Sequence, residues 1–258
     1  MADESLIAVF VDFENLAIGS RDMHEGEFRI DLVQKRLLEK GRIVFQRAYC
    51  DWNRYRGAVR EFHAQGIEMI DIPAGRMSGK NSADIRMVVD ALDLCHAKDH
   101  IDVFALLTGD SDFSPLVHKL KENNKRVIGC GVKKSTSELL VSSCDEFLYY
   151  DDLIHTDEKK KTTRRSRPAK SRTPKEEKQD VKTEAIDQLV AIVASLSSDY
   201  DPVWGSLVKQ TMKRVHPDFR EERYGYASFV EMLKDGETRG LLALDYDQAR
   251  GNYKIRVK

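Results

Sequence analysis

The chain has 258 residues, 41% of them hydrophobic and 33% charged, with a formal net charge of −1. That length and apolar content suit one domain of ordinary size plus something smaller, or one large domain. The near-zero balance excludes a uniformly basic nucleic-acid coat, so only local charge distribution can speak for such a partner. Cys50, Cys95, Cys130 and Cys144 form no CxxC pair and no zinc spacing with the seven histidines. The expectation is reduced thiols in a cytoplasmic protein, without a Cys/His metal site.

The opening MADESLIAVFVD has no basic leader, and its apolar run is far too short for a signal or a membrane span. Leu6–Val11 is the first predicted strand, ending in Asp12 and followed by FEN. Ile30, Val33 and Leu37 suggest a helix, Ile43–Cys50 a second strand, Tyr55–Ala64 a helix and Ile67–Ile72 a third strand. Ile85, Val88, Val89 and Leu92 recur at i, i+3, i+4 and i+7, the core-facing stripe of an amphipathic helix. In GKNSADIRMVVDAL, Asp84 falls in the first turn of that helix if Ser82 caps it. Val103–Thr108 is the fourth strand. Ser114 and Pro115 start a helix, serine as cap and proline at the first helical position. Val127–Cys130 is the fifth strand, Glu138–Ser142 a helix and Phe147–Tyr149 a short last strand. Alternating strands and helices predict an α/β fold, a parallel sheet covered on both faces.

Composition changes abruptly over Asp157–Lys182, where Val181 is the one large apolar residue and eleven Lys/Arg face five Asp/Glu. Such a segment cannot bury enough surface to offset backbone ordering, so residues 157–182 are expected to be a disordered basic linker. It serves either as a solvated tether or as an arm that touches phosphates. Globular composition returns from 183 to 258. Ile186, Leu189, Val190 and Val193 mark one helix; Val203, Leu207, Val208 and Met212 a second. Tyr226–Arg239 is a third, with Phe229, Val230 and Leu233 inward, and LLALDYDQARGNYKIRVK reads as a hairpin with its loop at Asp247–Asn252. Three helices and a hairpin give a small winged-helix domain.

In a parallel α/β sheet, ligands gather beyond the carboxyl ends of the strands. Asp12 ends the first strand, Asp110 and Asp112 follow the fourth in TGDSD, and Asp84 opens the helix before it. Four carboxylates meeting there would repel one another, and a hard divalent cation, Mg²⁺ or Mn²⁺, removes that conflict. Such a cluster is a catalytic and metal site for phosphoryl displacement. Each acid also has a plainer role: Asp84 complements a helix dipole, and the others bond turn amides. Asn15 can orient a water or a phosphate, or cap the turn that follows. Ser111 suits the turn better than a phosphate. Lys80, Lys133 and Lys134 lie in loops near the same edge, as phosphate contacts or as solvated lysines. GRMSGKNS is not a P-loop, because three rather than four residues separate its glycines and Asn81 follows Lys80.

IAVFVDFENL, KNSADIRMVVDAL, LLTGDSDFSPLV and CDEFLYYDDL, in this order, resemble the NYN branch of the PIN-like nuclease superfamily. The likeness runs from about Ile7 to Leu153 and implies a Rossmann-like α/β sandwich over residues 1–156 with a metal-dependent ribonuclease site. By match, Asp12 takes the strand-one acid, Asp84 the helix acid, and Asp110 and Asp112 the pair after strand four. Asn15 takes the polar position after the first acid. SLVKQTMKRVHPDFREERYGYASFVEMLKD with the hairpin resembles the LOTUS, or OST-HTH, domain, which implies RNA binding or docking of a protein partner. Arg220, Arg223, Tyr224 and Tyr226 precede its third helix and suit single-stranded RNA, arginine on phosphate and tyrosine on bases; the plainer reading is core tyrosines and solvated arginines.

The reading that joins these features is a metal-dependent endoribonuclease with a tethered RNA-binding module. A non-catalytic RNA-binding adaptor using the same pocket is the alternative. A phosphatase of the haloacid dehalogenase type also places acids at strand ends, but its Asp-x-Asp is Asp12-Phe13-Glu14 here and its threonine is missing.

Overall fold

The structure is a computed structural model that describes residues 4–23, 28–73, 82–165 and 174–258, with 158–165 and 174–181 described by backbone alone. The chain divides into two compact units, and the division falls inside the predicted linker.

The first unit runs β1 (Leu6–Asp12), α1 (Phe13–Asp22), α2 (Ile30–Lys40), β2 (Arg42–Cys50), α3 (Arg56–Ala64), β3 (Glu68–Asp71), α4 (Ser82–Ala97), β4 (Val103–Leu107), α5 (Ser114–Glu122), β5 (Arg126–Gly131), α6 (Glu138–Ser143), β6 (Glu146–Tyr149) and α7 (Tyr150–Arg165). Its strands form a six-stranded sheet in the order β3-β2-β1-β4-β5-β6, every pair parallel. Side chains alternate across it with period two. Ile7, Val9 and Val11 of β1, with Ala105 and Leu107 of β4, pack against Leu16, Val33, Leu37 and Phe62 on one face. Ala8 and Phe10, with Phe104 and Leu106, pack against Met87, Ala91, Leu116 and Leu120 on the other. Burial on both faces explains why each central strand reads as a continuous apolar run.

The structure departs from the sequence reading at several points. The chain enters α1 directly at Phe13, with no intervening turn, because the Asp12 side chain caps the helix. Ser114 is not a cap but the first residue of α5, which is preceded by a 3₁₀ turn over Ser111–Phe113; proline is still near the start. Ser82 is likewise the first residue of α4. That helix buries Met87, Ala91 and Cys95, with Val88 and Leu92 of the expected stripe partly buried against the same core. Ile85 and Val89 are 63% and 47% exposed. The small Ala91 and Cys95 allow close approach to the sheet, and Asp90 is drawn inward by hydrogen bonds from Tyr49 Oη (2.9 Å) and Arg47 Nη1 (2.8 Å). Ile85 and Val89 instead line an open groove of about 450 Å³ with Ser82, Arg86, Asp90 and Asp93.

Helix covers 157–165 and 174–182 of the expected linker, and its residues 166–173 lie outside the described residues. Helix α7 continues to Arg165, and α8 (Pro174–Leu196) begins well before the predicted boundary. Lysine, arginine, glutamate and alanine are good helix formers, so a helix begun on packed residues propagates into such a tract. Asp157 itself is tied to Arg29 Nη1 at 2.6 Å.

The second unit continues with β7 (Val203–Trp204), α9 (Gly205–Val215), α10 (Phe229–Thr238), β8 (Leu242–Asp247) and β9 (Asn252–Val257). Its sheet has the order β7-β9-β8, antiparallel, so Val203 belongs to a short strand and not to the second helix. Ile186, Leu189 and Val193 of α8, Val208 and Met212 of α9, and Phe229, Met232 and Leu233 of α10 form its core. Val230, expected inward, is exposed, and Met232 takes the inward position. Three helices with a hairpin are the winged-helix arrangement expected from the sequence.

Candidate active site

Strands β1 and β4 are neighbours at the centre of the sheet, and from them the strand order runs outward in opposite directions. This is the switch point where an α/β sheet opens a crevice at its carboxyl edge. Asp12 ends β1 there, and Gly109 to Asp112 follow β4.

Asp12 is 8% exposed. Its Oδ1 accepts from the Asn15 backbone N–H (3.3 Å) and its Oδ2 from the Thr108 hydroxyl (2.9 Å). Each carboxylate oxygen offers two lone pairs, so both retain one for a further partner. The Asn15 side chain reaches across the crevice: its Oδ1 accepts from Gly109 N–H at 2.9 Å. Thr108 Oγ1 accepts from Asp110 N–H (3.2 Å), and Asp110 Oδ1 accepts from Asp112 N–H (2.9 Å). A chain of short bonds thus fixes the β4 turn to the end of β1. Asn15 acts as a brace between the two strand ends, and Thr108, which the sequence reading left out of the site, orients Asp12. The threonine inside LLTGDSD was the available signal.

Burial pushes the Asp12 carboxyl up to about 7, against the lowering effect of its two hydrogen bonds; the charges of Asp84 and Asp110 push it further. Burial likewise raises Asp84 to about 6, followed by repulsion from Asp110, Asp112 and Glu14. The four predicted acids therefore share one electrostatic neighbourhood. Glu14 joins them at the rim, a residue the sequence analysis weighed only as part of a phosphatase motif. Among the described residues no lysine or arginine forms an ion pair with any of the four. No group of three acids there stands ready-made as a metal cage. The donor set is nonetheless the hard-oxygen kind that suits Mg²⁺ or Mn²⁺, and its raised acids gain most from a nearby positive charge.

Ser111 lies half-buried in the 3₁₀ turn between Asp110 and Asp112. Lys133 and Lys134 are exposed on a 3₁₀ turn after β5. That loop lies against the β4 end: Ser137 N–H donates to Gly109 O at 2.9 Å, and a Cβ on Gly109 would stand 2.7 Å from Ser135 O. The loop that carries the lysines thus borders the β4 end, while Lys133 Nζ itself stands over the Tyr149 ring of β6 at 5.8 Å. Lys80 lies outside the described residues. In the second unit, Arg220 and Arg223 are exposed, with Arg223 paired to Asp218. Tyr224 and Tyr226 are core residues, which corrects their expected stacking role. Tyr224 stacks on Phe219 with centroids 5.7 Å apart, and Tyr226, 2% exposed, donates its hydroxyl to Asp235 Oδ2 at 2.5 Å. Buried rings offer no face to a base.

Asp12 is buried at the switch point of a parallel sheet, Asp84 and Asp110 are half-buried and Asp112 is exposed, an acidic edge that suits a nuclease-like fold. The NYN domain matches residues 6–152 and the OST-HTH/LOTUS domain residues 176–236. The chain belongs to the NYN family, a PIN-like nuclease family, and carries a C-terminal LOTUS domain of the kind associated with RNA binding. It is 32% identical over 147 residues to MJ0482 of Methanocaldococcus jannaschii, described as uncharacterized, covering 56% of this chain and 58% of that one. The chain thus spans less than two thirds of this relative. A crystal structure of a protein of unknown function from Vibrio parahaemolyticus, VPA0982, is similar at a TM-score of 0.52 and 25% identity, over 59% of this chain and 97% of that one. Among the described residues no helix is long and apolar enough to cross a membrane.

Proposed function

We propose that the chain is a metal-dependent endoribonuclease that hydrolyses RNA phosphodiester bonds in the β1–β4 crevice, with the LOTUS domain as its RNA-binding module. The observation that carries this reading is the placement of Asp12 and Asp110 at the neighbouring ends of β1 and β4, the switch point of a PIN-like sheet, where burial first and like charges second raise both Asp12 and Asp84. Carboxylates crowded at this cost serve a cation-binding site better than a structural one. Asp12 and Asp110 would hold a divalent cation, with Asp84 and Asp112 completing the set directly or through water. When bound, that cation supplies a water activated for attack and charge for the phosphoryl oxygens. Asn15 and Thr108 keep the acids in place, while Lys133 and Lys134 draw the RNA backbone toward them. The division into nuclease domain (1–156), linker (157–182) and winged-helix domain (183–258) belongs to the same reading. So does a cytoplasmic setting, supported by four cysteines that are all free thiols.

The test is cleavage of labelled RNA with Mg²⁺ or Mn²⁺, with EDTA, and with Asp110→Asn. Metal-dependent cutting lost in the variant is the expected result. The alternative is a non-catalytic RNA-binding adaptor that uses the same acidic pocket. Binding without cutting by the unaltered chain would select it.

A further inference from the structure

Arg54 lies in the turn after β2, on the other side of the acids from Lys133 and Lys134. That turn is rigidly seated. Trp52 stacks on Phe13 of α1 at 5.2 Å and Tyr55 meets the same ring edge-on at 5.2 Å. Trp52 Nε1 also donates to Ile70 O at 3.1 Å. From it the Arg54 guanidinium reaches Glu14, two residues beyond Asp12, with Nη1 2.8 Å from Oε1. With side chains 56% and 39% exposed, this ion pair contributes little to stability. Its consequence is positional. One edge of a planar fork is held at the rim of the acidic crevice. Among the described residues Nη1 alone is engaged, which leaves Nε and Nη2 for the paired oxygens of a phosphate. Arg21, over the Tyr55 ring at 5.5 Å, extends the positive lip outward from this turn.

The strand order turns these positions into a line. Along the carboxyl edge stand Arg54 after β2, Asp12 after β1, Asp110 and Asp112 after β4, and Lys133 and Lys134 after β5. Three interstrand spacings, about 14 Å in all, separate β2 from β5. Cations therefore bracket the acids on both sides.

We propose that Arg54, held by Glu14, contacts a phosphate flanking the scissile one, so that the RNA strand crosses the sheet edge from the β2 side to the β5 side. This rests on the proposed cleavage of RNA in the same crevice, and its test reads binding apart from cutting. The full chain carrying Asp110→Asn is titrated with a short fluorescein-labelled single-stranded RNA by anisotropy, across roughly 50 to 200 mM salt. Adding Arg54→Ala weakens binding several-fold and flattens the log–log salt slope by about 0.7, one phosphate contact on a single strand. Arg54→Lys keeps the slope, and Lys133→Ala flattens it like Arg54→Ala. Unchanged affinity and slope in Arg54→Ala, alongside a loss in Lys133→Ala, overturns the proposal and leaves the cleavage reading standing. Weaker binding with an unchanged slope also overturns it, since that is the mark of a structural role. If neither the Asp110→Asn chain nor the unaltered chain in EDTA binds the RNA, both readings fall.

Discussion

Replacing Asp12 with asparagine should stabilise the first unit at neutral pH while abolishing cleavage. Burial raises the Asp12 carboxyl from 3.8 to about 7. Between those values the folded state holds a proton that the unfolded chain has lost, so this group's contribution to stability is fully present below about pH 4 and is lost as pH rises through 7. Each unit corresponds to about 1.4 kcal/mol, so ionising Asp12 in the folded crevice costs on the order of 4 kcal/mol. Asparagine removes that titration. Its amide oxygen can still accept from Thr108, but the charge assistance of that bond goes, a loss of about 1 kcal/mol. At pH 8 in EDTA, Asp12→Asn should then be more stable by about 3 kcal/mol, or roughly 6–12 °C in Tm for a unit of this size. At pH 4 it should be no more stable than the parent. Trp52, buried against Phe13, reports this unit once Trp204→Phe silences the second tryptophan. Unfolding in EDTA from pH 4 to 8.5 gives both curves. Adding Mn²⁺ at pH 7.5 should raise the Tm of the parent and not of the variant, because a ligand bound only by the folded state stabilises it. Parallel stability curves across that range would refute the claim that Asp12 ionises against its surroundings.

Two further substitutions probe the supports. Gly109→Ala places a Cβ 2.7 Å from the Ser135 carbonyl oxygen, so the β4 turn and the Lys133–Ser137 loop must separate. Overpacking of this kind costs about 1–3 kcal/mol, and RNA cleavage should fall at least as steeply as thermal stability, measured on the same preparation. Tyr226→Phe removes the hydrogen bond to Asp235. The second unit should lose about 1–2 kcal/mol by urea denaturation, yet RNA affinity should not change, since the ring lies in the core.

The strands were legible in the chain because each central one is buried on both faces, and a run such as IAVFV has no other stable place in water. The acids were legible for a related reason. Asp12 and the TGDSD pair end such runs, and a parallel sheet carries the ends of its strands to one edge. Local patterns failed where two faces compete for the same residues. In α4, periodicity picks Ile85 and Val89 as well as it picks Met87 and Ala91, and the outcome turned on how closely the helix could approach β1 and β2 and on where Asp90 found its donors. Tyr224 and Tyr226 look equally like a stacking platform or a core, because an aromatic residue serves either and only its neighbours remove it from solvent. The brace from Asn15 to Gly109, the hydroxyl of Thr108 on Asp12 and the reach of Arg54 to Glu14 join residues far apart along the chain. They follow from the strand order, which places β1 between β2 and β4, and no spacing in the sequence encodes that neighbourhood.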